Sequence, residues 1–224
     1  EKLQQLDAAL QEVDCTAIFL SRVDSVNWLT NIRGRDLPCT PVTQAYALYH
    51  RENGLILLAE PGRLAAVMAD DLATDASVVP LTDFAGLLGS EAGYASGTKV
   101  MIEAASLPKS LHDILDGSAV ELVRRACPVM HAKAVKNEVE QEGTRRAHIE
   151  DGVSMVRFLS WLETVSPGQM QETEIAAHLL SIRRENPNFI SSSFESICGS
   201  GPNGAIVHYR AIEGDDSALI GNSL

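Results

Sequence analysis

The stretch Ala45-Tyr-Ala-Leu-Tyr-His-Arg-Glu-Asn-Gly-Leu-Ile-Leu-Leu58 predicts a β-hairpin. Its two apolar runs, residues 45–49 and 55–58, have the length of strands. Residues 51–54, Arg-Glu-Asn-Gly, are interpreted as the connecting turn, because the pair Asn-Gly favours the positive φ angles of tight hairpin turns. We therefore expect two paired strands at this point of the chain.

Segments on both sides of this hairpin extend the pattern. Residues 16–20 are predicted to form a buried strand. A short helix is predicted at residues 26–30, with Asp24 or Ser25 as its N-cap. Further along, the sequence predicts a helix at residues 61–72 and strands at residues 77–80 and 99–103. Strands that alternate with helices are typical of a mixed or parallel sheet with covering helices, so the predicted fold class is α/β.

The texture of the sequence changes around Cys127-Pro-Val-Met-His131. Residues 134–164 nearly lack glycine and proline, and their apolar residues recur every three or four positions, which predicts a long amphipathic helix. A second such helix is predicted at residues 172–184, and strand-like segments follow it. The apolar rows are Ile149, Val153 and Val156, then Met155, Leu159 and Leu162, and in the second helix Ile175, Leu179 and Ile182. We place a domain boundary near residue 130 and expect domains at residues 1–130 and 131–224.

The charge balance excludes several classes of partner. Asp and Glu outnumber Lys and Arg by 30 to 18, which gives a formal net charge of −12. A chain of this charge repels nucleic acid and anionic membrane surfaces, and no basic stripe offsets it. No apolar run reaches the roughly 18–20 residues that a membrane-spanning helix needs. We therefore predict a soluble protein that binds neither nucleic acid nor membrane.

The four cysteines indicate a reducing compartment. Cys15, Cys39, Cys127 and Cys198 lie far apart and form no C-x-x-C pair. Disulfide scaffolds belong to oxidising compartments, so reduced thiols in a cytosolic protein fit this pattern best. The predicted location is the cytoplasm.

The glycine-rich segment Gly199-Ser-Gly-Pro-Asn-Gly204 has two interpretations. It has the composition of a phosphate-binding loop, but in a dinucleotide-binding fold such a loop leads straight into a helix. Here the β-type segment Ala205-Ile-Val-His-Tyr209 follows, so a tight turn between two strands is the preferred interpretation. The chain contains no G-x-S-x-G nucleophile elbow, no Walker loop and no H-E-x-x-H motif.

His208 stands apart from the other five histidines because it follows an apolar strand after a glycine-rich turn. From this position alone it is either a functional residue or a packed core histidine. Neighbouring side chains on a strand point to opposite faces, so the adjacent pairs Asp70-Asp71 and Asp215-Asp216 are not expected to chelate one metal ion. Both pairs are interpreted as exposed charges of loops or helix ends. No residue is assigned as a metal ligand.

Three longer stretches carry a family resemblance. They are Asp24-Ser-Val-Asn-Trp-Leu-Thr-Asn-Ile-Arg-Gly-Arg-Asp36, Ala134-Val-Lys-Asn-Glu-Val-Glu140 and Phe194-Glu-Ser-Ile-Cys-Gly-Ser-Gly-Pro-Asn-Gly-Ala-Ile-Val-His-Tyr-Arg210. Together they resemble the aminopeptidase P branch of the creatinase and prolidase ("pita-bread") family. The resemblance implies a creatinase N-terminal-type mixed sheet with covering helices. The first helices and strands of an α+β pita-bread domain would follow it.

The same resemblance implies an activity and a site. Such enzymes are Xaa-Pro aminopeptidases, which remove the N-terminal residue from peptides with proline in the second position. His208 would be catalytic and bind substrate, and Trp28 would line the substrate cleft, a position for which a core role is an equal alternative. An ion pair between Arg33 and Asp36 would hold the loop of the first stretch. Two divalent metal ions, manganese or zinc, proline-containing peptide substrates and a homodimer are also implied.

The resemblance further implies that the chain ends before the metal ligands of its family. Those ligands are two Asp, one His and two Glu, all located after the histidine motif. We therefore expect a fragment that binds no metal and is inactive by itself. The rival hypothesis is a non-catalytic pita-bread protein that acts as a peptide-binding or interaction module. The retained His208 motif favours the enzyme, because a pure scaffold does not need it.

Overall fold

A computed structural model describes residues 1–60, 62–64, 76–89, 94, 96–215 and 218. The chain divides into two compact units, Glu1–Val135 and Lys136–Leu224. Most of the helix predicted at residues 61–72, together with the pair Asp70-Asp71, lies outside the described residues. None of the helices in the described ranges is both long enough and apolar enough to cross a membrane.

The first unit is a mixed six-stranded sheet with helices. Its described elements are α1 (Lys2–Glu12), β1 (Ala17–Leu20), α2 (Val23–Thr30), β2 (Tyr46–His50), β3 (Gly54–Leu58), β4 (Ser77–Val79), α3 (Phe84–Leu87), β5 (Lys99–Ile102), α4 (Lys109–Asp116), β6 (Glu121–Arg124) and α5 (Pro128–Ala134). The strand order is β4-β3-β2-β1-β5-β6. Strands β1 and β2 and strands β2 and β3 pair antiparallel, whereas the other three pairs are parallel. The predicted α/β class with a mixed sheet is confirmed.

The predicted hairpin is present as β2 and β3, with Tyr49 opposite Leu55. Gly54 has a φ of +80°, which a glycine adopts without strain. His50, only 5% exposed, stabilises the turn, because its Nδ1 accepts hydrogen bonds from the backbone N–H groups of Glu52 (3.2 Å) and Asn53 (3.3 Å). Burial lowers the pKa of His50, so the ring stays neutral and able to accept these bonds.

Both faces of this sheet are covered by apolar side chains. Successive residues of a strand point to opposite faces, and accordingly Ile18 belongs to one core cluster and Phe19 to the other. Helices α1, α2 and α5 contribute to the first cluster, and α3 and α4 to the second. The ring of Phe19 lies 5.0 Å from that of Phe84 in α3. All four residues of β1 are buried, as predicted for this strand.

The start of α2 differs from the prediction. The helix begins at Val23, and its N-cap is Arg22 rather than Asp24 or Ser25. Asp24 instead lies in the first turn, where a negative charge interacts favourably with the helix dipole. At the other end, Asn31 adopts a left-handed conformation (φ 59°) and ends the helix.

The described part of the second unit contains two helices, α6 (Glu138–Leu162) and α7 (Glu172–Arg184), and a short 3₁₀-helix at Gly201–Ala205. A capping box starts α6, because Asn137 and Glu140 each accept a hydrogen bond from the other's backbone N–H (2.8 and 2.9 Å). The core of this unit is small. Its buried apolar residues are Phe158, Ile175, Ile182 and Cys198.

The apolar face of α6 is covered along one side only. Both long helices are confirmed, and Ile175 and Ile182 of α7 are buried as expected. On α6, Met155 and Leu162 pack partly against this core. The other predicted positions are exposed, namely Ile149, Val153, Val156 and Leu159. The broad apolar face is thus present in the sequence, but within the described residues α7 covers only the side that carries Phe158.

The strand predicted at residues 205–209 is wrong. The 3₁₀-helix ends at Ala205, and a turn follows in which the N–H of Tyr209 donates to the carbonyl of Ile206 (3.2 Å). His208 has a φ of 56°, and a left-handed residue cannot continue an extended strand. The described part of the chain after residue 187 contains no strand, only the isolated bridge between Gln171 and Ala218.

Candidate functional site

His208 is an exposed residue at the tip of a turn in the second unit. Within the described residues its side chain is therefore not packed in a core. In a strand, Ile206 and His208 would have pointed to the same face, but the turn removes this relation. A left-handed backbone at a non-glycine residue costs about 1 kcal/mol or more. The chain therefore holds an exposed imidazole on a strained backbone.

Glycines shape the loop that leads to this turn. A Cβ atom on Gly199 would lie 3.0 Å from the backbone nitrogen of Gly204 and 3.1 Å from the carbonyl oxygen of Asn203. Gly201 has a φ of +56°. The two ends of the segment 199–204 therefore approach each other so closely that any side chain at Gly199 would force them apart. The predicted tight turn between two strands is wrong: residues 201–205 form a 3₁₀-helix, and the described residues on either side of it form no strand.

A buried carboxylate, Glu172, lies beneath this loop and is 0% exposed. It accepts a hydrogen bond from the backbone N–H of Ser200 (2.5 Å) and another from the side-chain amide of Asn203 (3.1 Å). The hydroxyl of Tyr209 donates to Oε2 of the same carboxylate (2.6 Å). The amide of Asn203 also donates to the Tyr209 hydroxyl (2.9 Å). Residues before and after His208 are thus bound to one group.

Sequence reasoning placed Glu172 at the start of a helix and gave it no further role. The structure agrees with the placement, because Glu172 is the first residue of α7, where a negative charge is favourable. What the sequence did not reveal is its burial. The available signal was Gln171-Glu-Thr-Glu174, in which Glu174 accepts a hydrogen bond from the N–H of Gln171 (2.8 Å) and so takes the usual capping role. Glu172 is left to serve another partner.

Two further contacts hold the segment on either side of the loop. Cys198 is buried in the core between α6 and α7, which anchors the start of the segment. Arg210 forms an exposed ion pair with Glu195 (2.7 Å) just after Tyr209. Exposed ion pairs contribute little free energy, so the buried groups are the main anchors.

Trp28 belongs to the first unit, on α2. Its ring is partly buried against the core cluster that contains Val26 and Leu29. The ammonium group of Lys2 lies 4.2 Å from the ring centroid, in a cation–π arrangement, and donates to the Trp28 carbonyl. These contacts give Trp28 a structural role within its own unit.

The predicted ion pair between Arg33 and Asp36 is wrong. Asp36 Oδ2 accepts a hydrogen bond from the N–H of Gln44 (2.8 Å) and pairs with Arg63 (3.0 Å). The Gln44 N–H and the Arg63 guanidinium keep the pKa of Asp36 below its usual value, against the opposing effect of burial. The guanidinium of Arg33 donates to the carbonyl of Ile32 (3.1 Å). Asp36 therefore closes the loop by contacting Gln44, eight residues further on, and the more distant Arg63.

The motif Arg33-Gly-Arg-Asp36 requires a glycine at its second position, Gly34. A Cβ atom on Gly34 would lie 2.6 Å from the backbone nitrogen of Thr43, which leaves no room for a side chain. Thr43 is itself held by Asn27, whose side chain accepts from the Thr43 N–H (2.9 Å) and donates to its carbonyl (2.8 Å). This first motif thus builds a tightly closed loop after α2.

Within the described ranges, no group of three or more His, Cys, Asp or Glu side chains lies close enough together to hold a metal ion. Of the pair Asp215-Asp216, only Asp215 is described, and it is exposed. The four cysteines are not joined by disulfide bonds, and three of them, Cys15, Cys127 and Cys198, are buried. The exposed imidazole of His208 can donate and accept hydrogen bonds.

Comparison with known proteins places this geometry in a family. The Creatinase/Prolidase N-terminal domain profile matches residues 1–140, and the Metallopeptidase family M24 profile matches residues 142–222. A protein of Phaeosphaeria nodorum named "Probable Xaa-Pro aminopeptidase P" is 32% identical over 234 residues. The match covers 100% of this chain and 36% of that protein, so the chain spans about a third of the relative's length.

Solved structures show the same fold. The X-prolyl aminopeptidase from Caenorhabditis elegans, described as a cytosolic enzyme with a di-nuclear active site, is 23% identical, with a TM-score of 0.84. The match covers 98% of this chain and 36% of that one. The prolidase from Pyrococcus horikoshii OT3 is 17% identical, with a TM-score of 0.75 over 98% of this chain and 57% of that one. With its hairpin, mixed sheet and Arg-Gly-x-Asp loop, the chain belongs to the creatinase/prolidase N-terminal domain family.

Proposed function

We propose that this chain is part of a Xaa-Pro aminopeptidase, which hydrolyses the bond between an N-terminal residue and a following proline. The observation that carries the proposal is the exposed, strained His208 on a loop anchored by a buried carboxylate. The names of the relatives support it, as does the match of residues 142–222 to a metallopeptidase family. Proline-containing peptides are the corresponding substrates.

In this proposal His208 binds substrate and assists catalysis. An exposed imidazole can donate a hydrogen bond to the substrate carbonyl or to the charge that develops on it during attack. Residues with strained backbone conformations cluster at active sites, although they also end helices, as Asn31 does. The left-handed backbone of His208 supports this role. Trp28 is proposed as a weaker second contact with substrate, since its ring is largely used within its own unit.

Two divalent metal ions, manganese or zinc, belong to the proposal on the strength of the family and of the C. elegans relative. When bound, such ions activate a water molecule and polarise a carbonyl group. Among the described residues, the proposed contribution of His208 is to bind and orient the peptide. A cytoplasmic location is proposed from the free thiols and the cytosolic relative, and a homodimer from the family resemblance.

The proposal is tested by replacing His208 in the full-length protein. Both His208→Ala and His208→Gly should lower kcat on an Arg-Pro-Pro-type peptide by roughly 10²–10³, the loss seen when one oxyanion donor is removed. Stability should differ between the two variants, because glycine adopts a φ of 56° freely and alanine does not. We expect His208→Gly to be the more stable by about 1 kcal/mol.

The measurements are kcat, bound metal and melting temperature on the same preparations. Metal content should stay unchanged, because His208 is not proposed as a ligand. The 224-residue chain assayed alone with manganese, cobalt or zinc is the negative control, and we expect it to be inactive. Full activity in both variants would overturn the role of His208. A full-length protein that binds proline peptides without cleaving them would identify a binding module instead.

A further inference from the structure

We propose that Glu172 is a positioning residue that holds His208 in its working geometry. The inference rests on the proposed function, because it assigns Glu172 a role through His208. The aminopeptidase assignment does not by itself require a buried carboxylate at this place. A carboxylate that is 0% exposed binds the chain on both sides of an exposed histidine.

Burial of this carboxylate needs compensation. An ionised group removed from water costs several kcal/mol unless it is paired or hydrogen-bonded. For Glu172 the compensation comes from the N-terminus of α7 and from the donors of Ser200, Asn203 and Tyr209. Hydrogen bonds to a charged acceptor are roughly twice as strong as neutral ones. An ionised Glu172 would therefore bind this loop more firmly than a neutral side chain could.

The hydrogen-bond donors that contact Glu172 lie on both sides of His208 in the sequence. Ser200 and Asn203 precede the histidine, and Tyr209 follows it directly. A left-handed residue between them would relax to a lower-energy backbone if either side were free. Because both sides are held by one carboxylate, the turn is constrained at its beginning and its end. The backbone of His208, and with it the direction in which its side chain leaves the turn, is thereby held in place.

Loss of this constraint should affect turnover more than binding. A catalytic group misplaced by about 1 Å can cost on the order of 10²-fold in rate. We expect Glu172→Gln in the full-length enzyme to lower kcat by roughly 10- to 100-fold, with a change in KM of less than about threefold. Tyr209→Phe removes one hydroxyl and keeps the ring, so its effect should be smaller, about three- to tenfold in kcat.

A double-mutant cycle separates positioning from simple stability. If Glu172 acts through His208, then Glu172→Gln should cause no further loss of kcat once His208 is already alanine. Melting temperatures should instead fall additively, since His208 is exposed and contributes little packing. The matched control is Glu195→Gln, which removes an exposed carboxylate that pairs with Arg210 in the same unit. It should leave kcat within about twofold of wild type.

Amide hydrogen exchange provides a readout that does not depend on activity. Glu172→Gln and Tyr209→Phe should speed exchange in residues 199–209, and Glu195→Gln should not. Independent, additive losses of kcat for Glu172→Gln and His208→Ala would overturn the inference, as would unchanged exchange in residues 199–209. If Glu172→Gln does not fold, Tyr209→Phe in the same cycle decides the question. A wild-type enzyme without Xaa-Pro activity would refute the proposed function, while the exchange experiment still tests the positioning.

Discussion

The two units of this chain use similar apolar patterns, but they bury them to different extents. In the first unit the sheet lies between two sets of helices, and β1 is buried along its whole length. In the second, α6 spans 25 residues, of which Ser154 and Phe158 are buried. Amphipathic periodicity therefore determines that a helix forms and which side is apolar. Whether that side is covered depends on elements elsewhere in the chain.

The two units also differ in how many large apolar side chains they expose. Among the described residues of the first unit the exposed ones are Leu37, Met130 and Val135. In the second they are Val139, Ile149, Val153, Val156, Leu159, Ile190, Phe194, Ile197, Ile206, Val207 and Ile212. Burial of apolar surface is the main favourable contribution to folding, at about 25 cal/mol per Å². Taken by itself, the second unit therefore gains less free energy from apolar burial than the first.

The largest expected effect compares a buried position of the first unit with an exposed one of the second. Phe19→Ala removes a ring that contacts Phe84 within the sheet core and should cost about 3–5 kcal/mol of unfolding free energy. Val156→Ala, at a site that is 67% exposed, should change it by no more than about 0.5 kcal/mol. Both changes in unfolding free energy are measured by urea unfolding followed by amide exchange, in β1 for Phe19→Ala and in α6 for Val156→Ala. Equal costs at the two sites would refute the comparison.

A smaller effect is expected at the division between the units. We propose that they are separate domains and that the boundary lies within residues 130–135, at the end of the first unit. Trypsin should first cut after the exposed Lys136 and leave a folded N-terminal piece, because Cys127 and Val129 belong to the first core. A stability difference of about 2 kcal/mol would make cleavage of the second unit roughly 30-fold faster. Early cleavage within residues 45–60 with protection of residues 138–184 would contradict this division.

The smallest expected effect is a pH dependence confined to the first unit. Burial lowers the pKa of His50 in the folded state, so as the pH falls the unfolded chain takes up this proton first. The contribution of His50 is therefore complete above its unfolded pKa of about 6.5 and is lost as the pH falls towards the folded value. One proton limits the slope to about 1.4 kcal/mol per pH unit, and we expect less.

The measurement is the unfolding free energy of β2 and β3 between about pH 7.5 and 5.5. His50→Gln should flatten the slope, because glutamine can accept a hydrogen bond without titrating. His148→Gln on α6 is the matched control, since that ring is exposed. A slope that persists in His50→Gln would show that another group causes it.

Local patterns were sufficient for much of the fold. The hairpin at β2 and β3, the buried strand β1 and the helices α6 and α7 all follow from short-range periodicity and turn chemistry. The prediction of a strand at residues 205–209 failed, because a run of apolar residues is compatible with a strand or a turn. The positive φ of His208 decided between them, and no pattern in the sequence specified it.

The sequence by itself determined the fold class, the family resemblance and the choice of His208 as the residue to test. Only the tertiary structure showed that His208 is exposed and that Asp36 pairs with Arg63 rather than Arg33. It also brought Glu172 within hydrogen-bonding distance of Ser200 and Tyr209, residues far from it in sequence. The physical reason is that periodicity and turn propensity act over a few residues. Burial and hydrogen-bond partners depend on which distant segments meet in space.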